Sequence, residues 1–186
     1  MFTSFSTSNG KVTEWTIGSK DEDLDRLQIG DLLEFNGGQL YNHWAVFVGN
    51  DSIVHLFNTN GDYFSRKGNG KIVLEKIIYY IQTSSGKHTA NSSSKSKLKW
   101  RINNGLDGTY QPLPAEDIKK TAIEHIGDGQ YSLITYNCEH FANDCRYGRE
   151  YSRQVNQVAG IVGGSLGGSL MVGSLLMSGG KTEDEN

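Results

Sequence analysis

Cys138 follows Asn137 and opens a segment that runs to Tyr147 and stops at Gly148. Asn is favoured just before a helix and Gly just after one, so the spacing predicts a helix whose first residue is the cysteine. A thiol there faces unpaired backbone N–H groups and the positive end of the helix dipole, and both favour the reactive thiolate. The same N–H groups are placed to hold the oxyanion formed when sulfur attacks a carbonyl. A buried cysteine also serves simply as a small apolar side chain, so the chemistry depends on what faces it.

The histidines give that cysteine partners. His43 opens the apolar run His43–Val48, and His55 lies near the end of the next run, Ser52–Leu56, across the turn residues Gly49, Asn50 and Asp51. A two-residue loop, Asn50-Asp51, sets His55 opposite Val46 and puts the histidines on opposite faces. A three-residue loop pairs Ala45 with His55, and His43 becomes a diagonal neighbour about 7–8 Å away on the same face. Both loop lengths are common in hairpins, so the residues alone leave the register open. One cysteine with two histidines on a neighbouring sheet is the set of parts for a thiol enzyme, with one histidine as base and then acid and the second residue orienting it. A metal site built from His43, His55, Cys138 and His140 is the rival use of these residues. No Cys-x-x-Cys or His-x-x-x-His spacing supports it, and no cofactor motif is present. His140, two residues beyond Cys138 on the same helix, points away from it and reads as structural. His88 and His125 read as solvent-facing.

The elements that must position these groups fall into two halves. Residues 1–28 are polar and read as a loose extension. From Gly30 onward short β-type runs follow: Asp31–Phe35, His43–Val48, Ser52–Leu56, Lys71–Gln82 and Leu98–Asn103. The stretches 58–70 and 83–96 read as loops. Pro114 with Glu116 and Asp117 then starts a helix, with Ile118, Ala122, Ile123 and Ile126 as its apolar stripe and Gly127 as its end. Tyr131–Thr135 is expected to be a short strand before the Cys138 helix.

The chain has 186 residues, 36% hydrophobic and 21% charged, which suits one globular domain with appendages. A net charge of −3 and the absence of a basic stripe with interleaved aromatics argue against nucleic-acid binding. Cys138 and Cys145 are the two cysteines, and on one helix their Cα atoms stand about 10 Å apart, too far to bridge. Residues Met1–Ser6 lack the charged start and apolar run of a signal peptide, which favours a cytosol-facing protein. Residues 158–177 carry no charge, and six of the 20 are Gly and three Ser. That length suits a transmembrane helix, with Gly160, Gly164 and Gly168 as a small-residue face for self-association. Arg146, Arg149 and Arg153 ahead of it favour a cytosolic catalytic domain. A flexible Gly/Ser tail in water is the competing reading.

The blocks Gly30–Glu34, Asn42–Gly49, Ile53–Leu56, Asn137–Phe141 and Arg146–Gly148 resemble the lecithin retinol acyltransferase-like family, in particular its phospholipase A/acyltransferase branch. The likeness covers about Gly30 to Val155. It implies an α+β, circularly permuted papain-like thiol-enzyme fold, an antiparallel sheet packed on helices with the histidines preceding the cysteine. Carried over by motif, Cys138 is the acyl-thioester nucleophile, His43 its base and His55 the third member. The implied partners are glycerophospholipids, with water, an amine or a lysophospholipid as acyl acceptor, and no metal or other cofactor is implied. The organisation expected is an extension at 1–28, a catalytic domain at 29–155, a hydrophobic membrane segment at 156–178 and an acidic tail at 179–186. Two other functions fit the same residues, a thiol hydrolase of amide bonds and a non-catalytic membrane adaptor that keeps the fold.

Overall fold

The computed structural model describes residues 10–18, 20–37, 41–59, 68–84, 98–131 and 136–153. Runs rich in Val, Ile, Leu and aromatics make its strands, as these side chains fit a pleated, half-buried surface. In chain order the elements are β1 (Thr16–Ile17), α1 (Asp21–Leu24), β2 (Leu32–Phe35), β3 (His43–Gly49), β4 (Ser52–Asn58) and β5 (Gly68–Lys76). They continue as α2 (Ile77–Ser84), β6 (Lys99–Ile102), α3 (Ala115–Glu124), β7 (Gly127–Tyr131) and α4 (Cys138–Tyr147). The strands form one antiparallel sheet in the order β1-β6-β2-β3-β4-β5-β7. The class is therefore α+β.

Both faces of the sheet are covered, which is why its central strands read as unbroken apolar runs. Trp44, Val46, Val48, Val54, Leu56 and Ile72 pack against α3 and α4 through Ile118, Ala122, Phe141 and Cys145. The alternate residues Leu33, Phe35, Ala45, Phe47 and Ile53 pack against Ile77, Tyr80 and Ile81 of α2, beside Trp100 and Ile102 of β6. Full burial of a side chain such as Phe35 or Ile53 contributes about 1.5–3 kcal/mol. Under α4, Arg146 forms a buried ion pair with Asp107 and donates to the Gly30 carbonyl at 2.7 Å. It ties the helix to the start of β2 and is a structural residue, not a surface charge.

Several expectations are corrected. Lys71–Gln82 is not one strand: β5 ends at Lys76 and Ile77–Ser84 is helical. The buried residues Ile77, Tyr80, Ile81 and Ser84 fall at i, i+3, i+4 and i+7, a helical period masked by the apolar residues between them. Part of the supposedly loose 1–28 stretch joins the sheet, with Thr16 paired to Trp100 and Val12 bridged to Asn103. On α3 only Ile118 and Ala122 are buried, while Ile123 and Ile126 are exposed. The late strand is Gly127–Tyr131, with Gly127 as its first residue; residues 132–135 lie outside the described ones.

The transmembrane helix is also corrected. Among the described residues no helix is long and apolar enough to cross a membrane. The longest, α3 and α4, have 10 residues each. At about 1.5 Å per residue they cover half of a hydrocarbon core of about 30 Å. The segments 156–178 and 179–186 lie outside the described residues, as does His88.

Candidate active site

Helix α4 begins and ends as its residues predict. The Asn137 side chain accepts from the N–H groups of Glu139 and His140 at 2.9 and 3.1 Å, and Gly148 closes the helix at φ 62°. His140 completes a capping box, its Nδ1 accepting from the Asn137 N–H at 3.3 Å. Burial holds the His140 pKa down to about 4, which keeps this nitrogen an acceptor. His140 thus builds the helix start, whereas His125 is exposed.

The cap fixes where Cys138 stands. Its sulfur is 2.9 Å from the Tyr41 hydroxyl and 3.9 Å from the Asn42 carbonyl, and the nearby backbone N–H groups of Trp44 and Glu139 favour its thiolate. Only 1% of the residue is exposed. Burial is the largest influence and pushes the thiol up to about 12, against the pull of the Tyr41 hydrogen bond and the two N–H groups. Burial thus favours the thiol over the thiolate, and a base is what would free the sulfur. Cys145, two turns along α4, is buried and free, its pKa also raised chiefly by burial.

A local parting of strands lets the sulfur reach the sheet. Phe47 N–H bonds to Asp31 and its carbonyl to Gly30, so odd residues of β3 turn their backbone groups toward β2 and even ones toward β4. Pairing of β3 with β4 runs only from the turn to Val46↔Val54. Yet β3 stays paired with β2 through His43↔Phe35, and β4 with β5 through Asn58↔Gly70. The strands separate at 43–45, and the sulfur takes up the Trp44 N–H and Asn42 carbonyl that β4 leaves open. Asn42 and Trp44 flank His43, so the sulfur lies against the backbone on either side of it.

The hairpin register resolves the two loop alternatives by combining them. Gly49 pairs with Ser52, so the turn has two residues, Asn50 and Asp51, both left-handed at φ 49° and 52°. A bulge between Phe47 and Gly49 then shifts the ladder so that Phe47 faces Ile53. The extra residue restores the register of a three-residue loop and brings the histidines onto one face. His43 Nε2 stands 2.9 Å from His55 Nδ1, and His55 Nε2 stands 2.6 Å from Glu75 Oε1 on β5. Tyr80 of α2 stacks on the His43 ring at 5.4 Å and meets His55 edge-on at 5.1 Å.

The structure thus brings His43 and His55 into contact and sets Cys138 against the backbone flanking His43. Tyr41, Glu75 and Tyr80 are site neighbours that the sequence reading missed. Glu75 had a signal, since it is the acid in the apolar run Ile72-Val73-Leu74-Glu75, but its partner depends on the β4–β5 register. Tyr41 and Tyr80 look like core aromatics until the fold places them. Among the described residues no group of three or more His, Cys, Asp or Glu side chains converges as a metal-binding set.

Comparison with known proteins follows the same residues. A family model described as lecithin retinol acyltransferase matches residues 25–151. Phospholipase A and acyltransferase 5 of Mus musculus is 36% identical over 151 residues, which are 80% of this chain and 52% of that protein. The protein of the same name in Rattus norvegicus is 39% identical over 133 residues, 69% of this chain and 42% of its own. Phospholipase A and acyltransferase 4 of Homo sapiens is 33% identical over 130 residues, 69% of this chain and 74% of its own. The chain spans about half the length of the acyltransferase-5 relatives. The matched stretch takes in every strand from β2 to β7 and the whole of α4, so the shared part is the part that builds the site: the chain belongs to the lecithin retinol acyltransferase family, within its phospholipase A and acyltransferase branch.

Proposed function

We propose that this chain is a cysteine-dependent phospholipid hydrolase and acyltransferase. The observation that carries the reading is the placement of the Cys138 sulfur, at a capped helix start and on the backbone flanking a histidine that is hydrogen-bonded to a second one. The relatives' names, phospholipase A and acyltransferase, supply the substrate class.

In the proposed reaction His43 takes the thiol proton and the sulfur attacks an ester carbonyl of a glycerophospholipid. The Cys138 N–H, which the Asn137 side chain does not take, stabilises the oxyanion at the helix start. His43 returns the proton to the leaving oxygen, lysophospholipid departs, and the acyl chain stays on Cys138 as a thioester. Water, an amine or a lysophospholipid then gives up a proton to His43 and attacks the thioester, which returns the thiol. His55 orients the base. The order His43, His55, Cys138 along the chain supports a circularly permuted papain-like arrangement. The uncharged stretch 158–177 supports association with a lipid surface, and its glycine spacing supports self-association.

Mass spectrometry of the products from a defined phosphatidylcholine, with and without phosphatidylethanolamine, tests the reading. Free fatty acid plus lysophospholipid is expected from the first lipid alone, with N-acylated phosphatidylethanolamine added when both are present. Release of neither product by the folded full-length chain would favour the adaptor reading.

A further inference from the structure

We propose that Glu75 is a positioning residue for the catalytic base, setting the proton arrangement and the charge balance of the His43–His55 pair. This rests on the reading of His43 as the base of Cys138. Glu75 pairs with Ile53 across the β4–β5 ladder while His55 pairs with Val73, so Glu75 is a diagonal neighbour of His55 on the same face. Its Oε1 reaches His55 Nε2 at 2.6 Å, and its side chain is only 23% exposed.

The chemistry of the acceptor gives the chain of hydrogen bonds a direction. A carboxylate accepts and does not donate, so His55 Nε2 carries the proton that faces Glu75. In a neutral ring that leaves His55 Nδ1 bare, and it accepts from His43 Nε2–H across 2.9 Å. A neutral His43 protonated at Nε2 has its lone pair on Nδ1, which takes the thiol proton in the proposed reaction. When His43 becomes an imidazolium it keeps donating to His55, and the negative charge of Glu75 balances the new positive one through that ring. The carboxylate at the far end of the chain is what favours this tautomer over the reverse.

Among the described residues, Glu75 is the carboxylate in contact with the pair. From β2 comes Phe35 and from α2 the Tyr80 ring, and α2 has no charged residue. On β4 the next ring is Phe57. On β5, Lys71 is the other diagonal neighbour of His55 on this face, opposite Phe57, but it is exposed, whereas Glu75 is the one hydrogen-bonded to the ring. Lys76 is turned to the Asn50 carbonyl at the hairpin tip. From α4, Glu139 acts on the Cys138 thiol.

Two variants separate geometry from charge. Glu75→Gln keeps a carbonyl acceptor for His55 but removes the charge, whereas Glu75→Leu removes both. The readouts are the pH dependence of Cys138 alkylation by iodoacetamide and the imidazole nitrogen NMR signals, with thermal melting as a check on folding. In the wild-type protein at neutral pH, both rings are expected to carry their proton on Nε2. A neighbouring negative charge favours the protonated pair, so its loss lowers the pH at which the base becomes free. Glu75→Gln is expected to keep the tautomers and shift the acid limb of alkylation to lower pH. Glu75→Leu is expected to shift the limb similarly and to mix the tautomers. Unchanged tautomers and an unchanged limb in both folded variants would overturn the role of Glu75. An identical alkylation profile for wild type and His43→Ala would instead overturn the reading of His43 as base, so the two failures are distinguishable.

Discussion

The Tyr41 hydroxyl lies 2.9 Å from the Cys138 sulfur, joining the residue two places before His43 to the first residue of α4. The contact opposes burial: desolvation drives the thiol pKa up, and the phenol pulls it back by stabilising the thiolate. Hydrogen bonds to a charged group are worth about 1.5–3 kcal/mol, and about 1.4 kcal/mol is a factor of ten. Tyr41→Phe is therefore expected to slow iodoacetamide alkylation of Cys138 at neutral pH by about tenfold or more, with the alkaline limb displaced upward. An unaltered rate in the folded variant would show that the phenol does not act on the sulfur.

His43→Ala is expected to be more damaging than His55→Ala. Loss of the base leaves nothing to accept the thiol proton, whereas loss of the orienting ring leaves a base that is present but misaligned. General acid–base catalysis is worth about 10²–10⁴-fold, so His43→Ala should fall within that range and His55→Ala below it. Steady-state rates of lysophospholipid release check the order. Equal and mild losses would make both histidines structural.

How far the residues alone reveal this site depends on how local each determinant is. Asn137, Cys138 and Gly148 act within one helix and could be read directly, as could His43 and His55 as members of one hairpin. Whether the two rings share a face could not be read, because it turns on one bulged residue between Phe47 and Gly49. A strand slip of one residue reverses every side chain, so the answer lies in the ladder. The helix Ile77–Ser84 was hidden for a different reason. Its Ile and Tyr residues favour strands locally, and the packing of every third or fourth one against the sheet overrides that preference. Glu75 and Tyr41 gain their meaning from partners 20 and 97 residues away.

The capping box at α4 predicts an acid-sensitive fold. His140 binds its proton less readily when folded than when unfolded, its pKa held down to about 4 by burial. The unfolded chain therefore takes up more protons as pH falls from about 6.5 toward 4, and stability falls with it. One proton gives a slope of at most about 1.4 kcal/mol per pH unit. His140→Gln retains the N3 acceptor of a capping box without a titrating group. Urea midpoints measured from pH 7 to pH 4 should decline less steeply for this variant than for the wild type. Equal slopes would place the acid sensitivity elsewhere.

Removing the cap itself should cost stability and activity together. Asn137→Ala frees two backbone N–H groups at the start of α4 and is expected to lower unfolding stability by about 1–2 kcal/mol. The Cys138 sulfur shares that turn, so turnover per folded molecule should fall as well. Denaturant melts and product release on the same samples check both. A stability loss without any change in turnover would separate the cap from the chemistry.

The central claim is that acyl chains pass through a thioester on Cys138 and not on Cys145. Intact-protein mass spectrometry after brief exposure to a single defined phosphatidylcholine tests it most directly. The wild type and Cys145→Ser are expected to gain the mass of one acyl chain, labile to hydroxylamine, and Cys138→Ser to gain none. An acyl adduct that persists in Cys138→Ser, or disappears in a folded Cys145→Ser, would contradict the account.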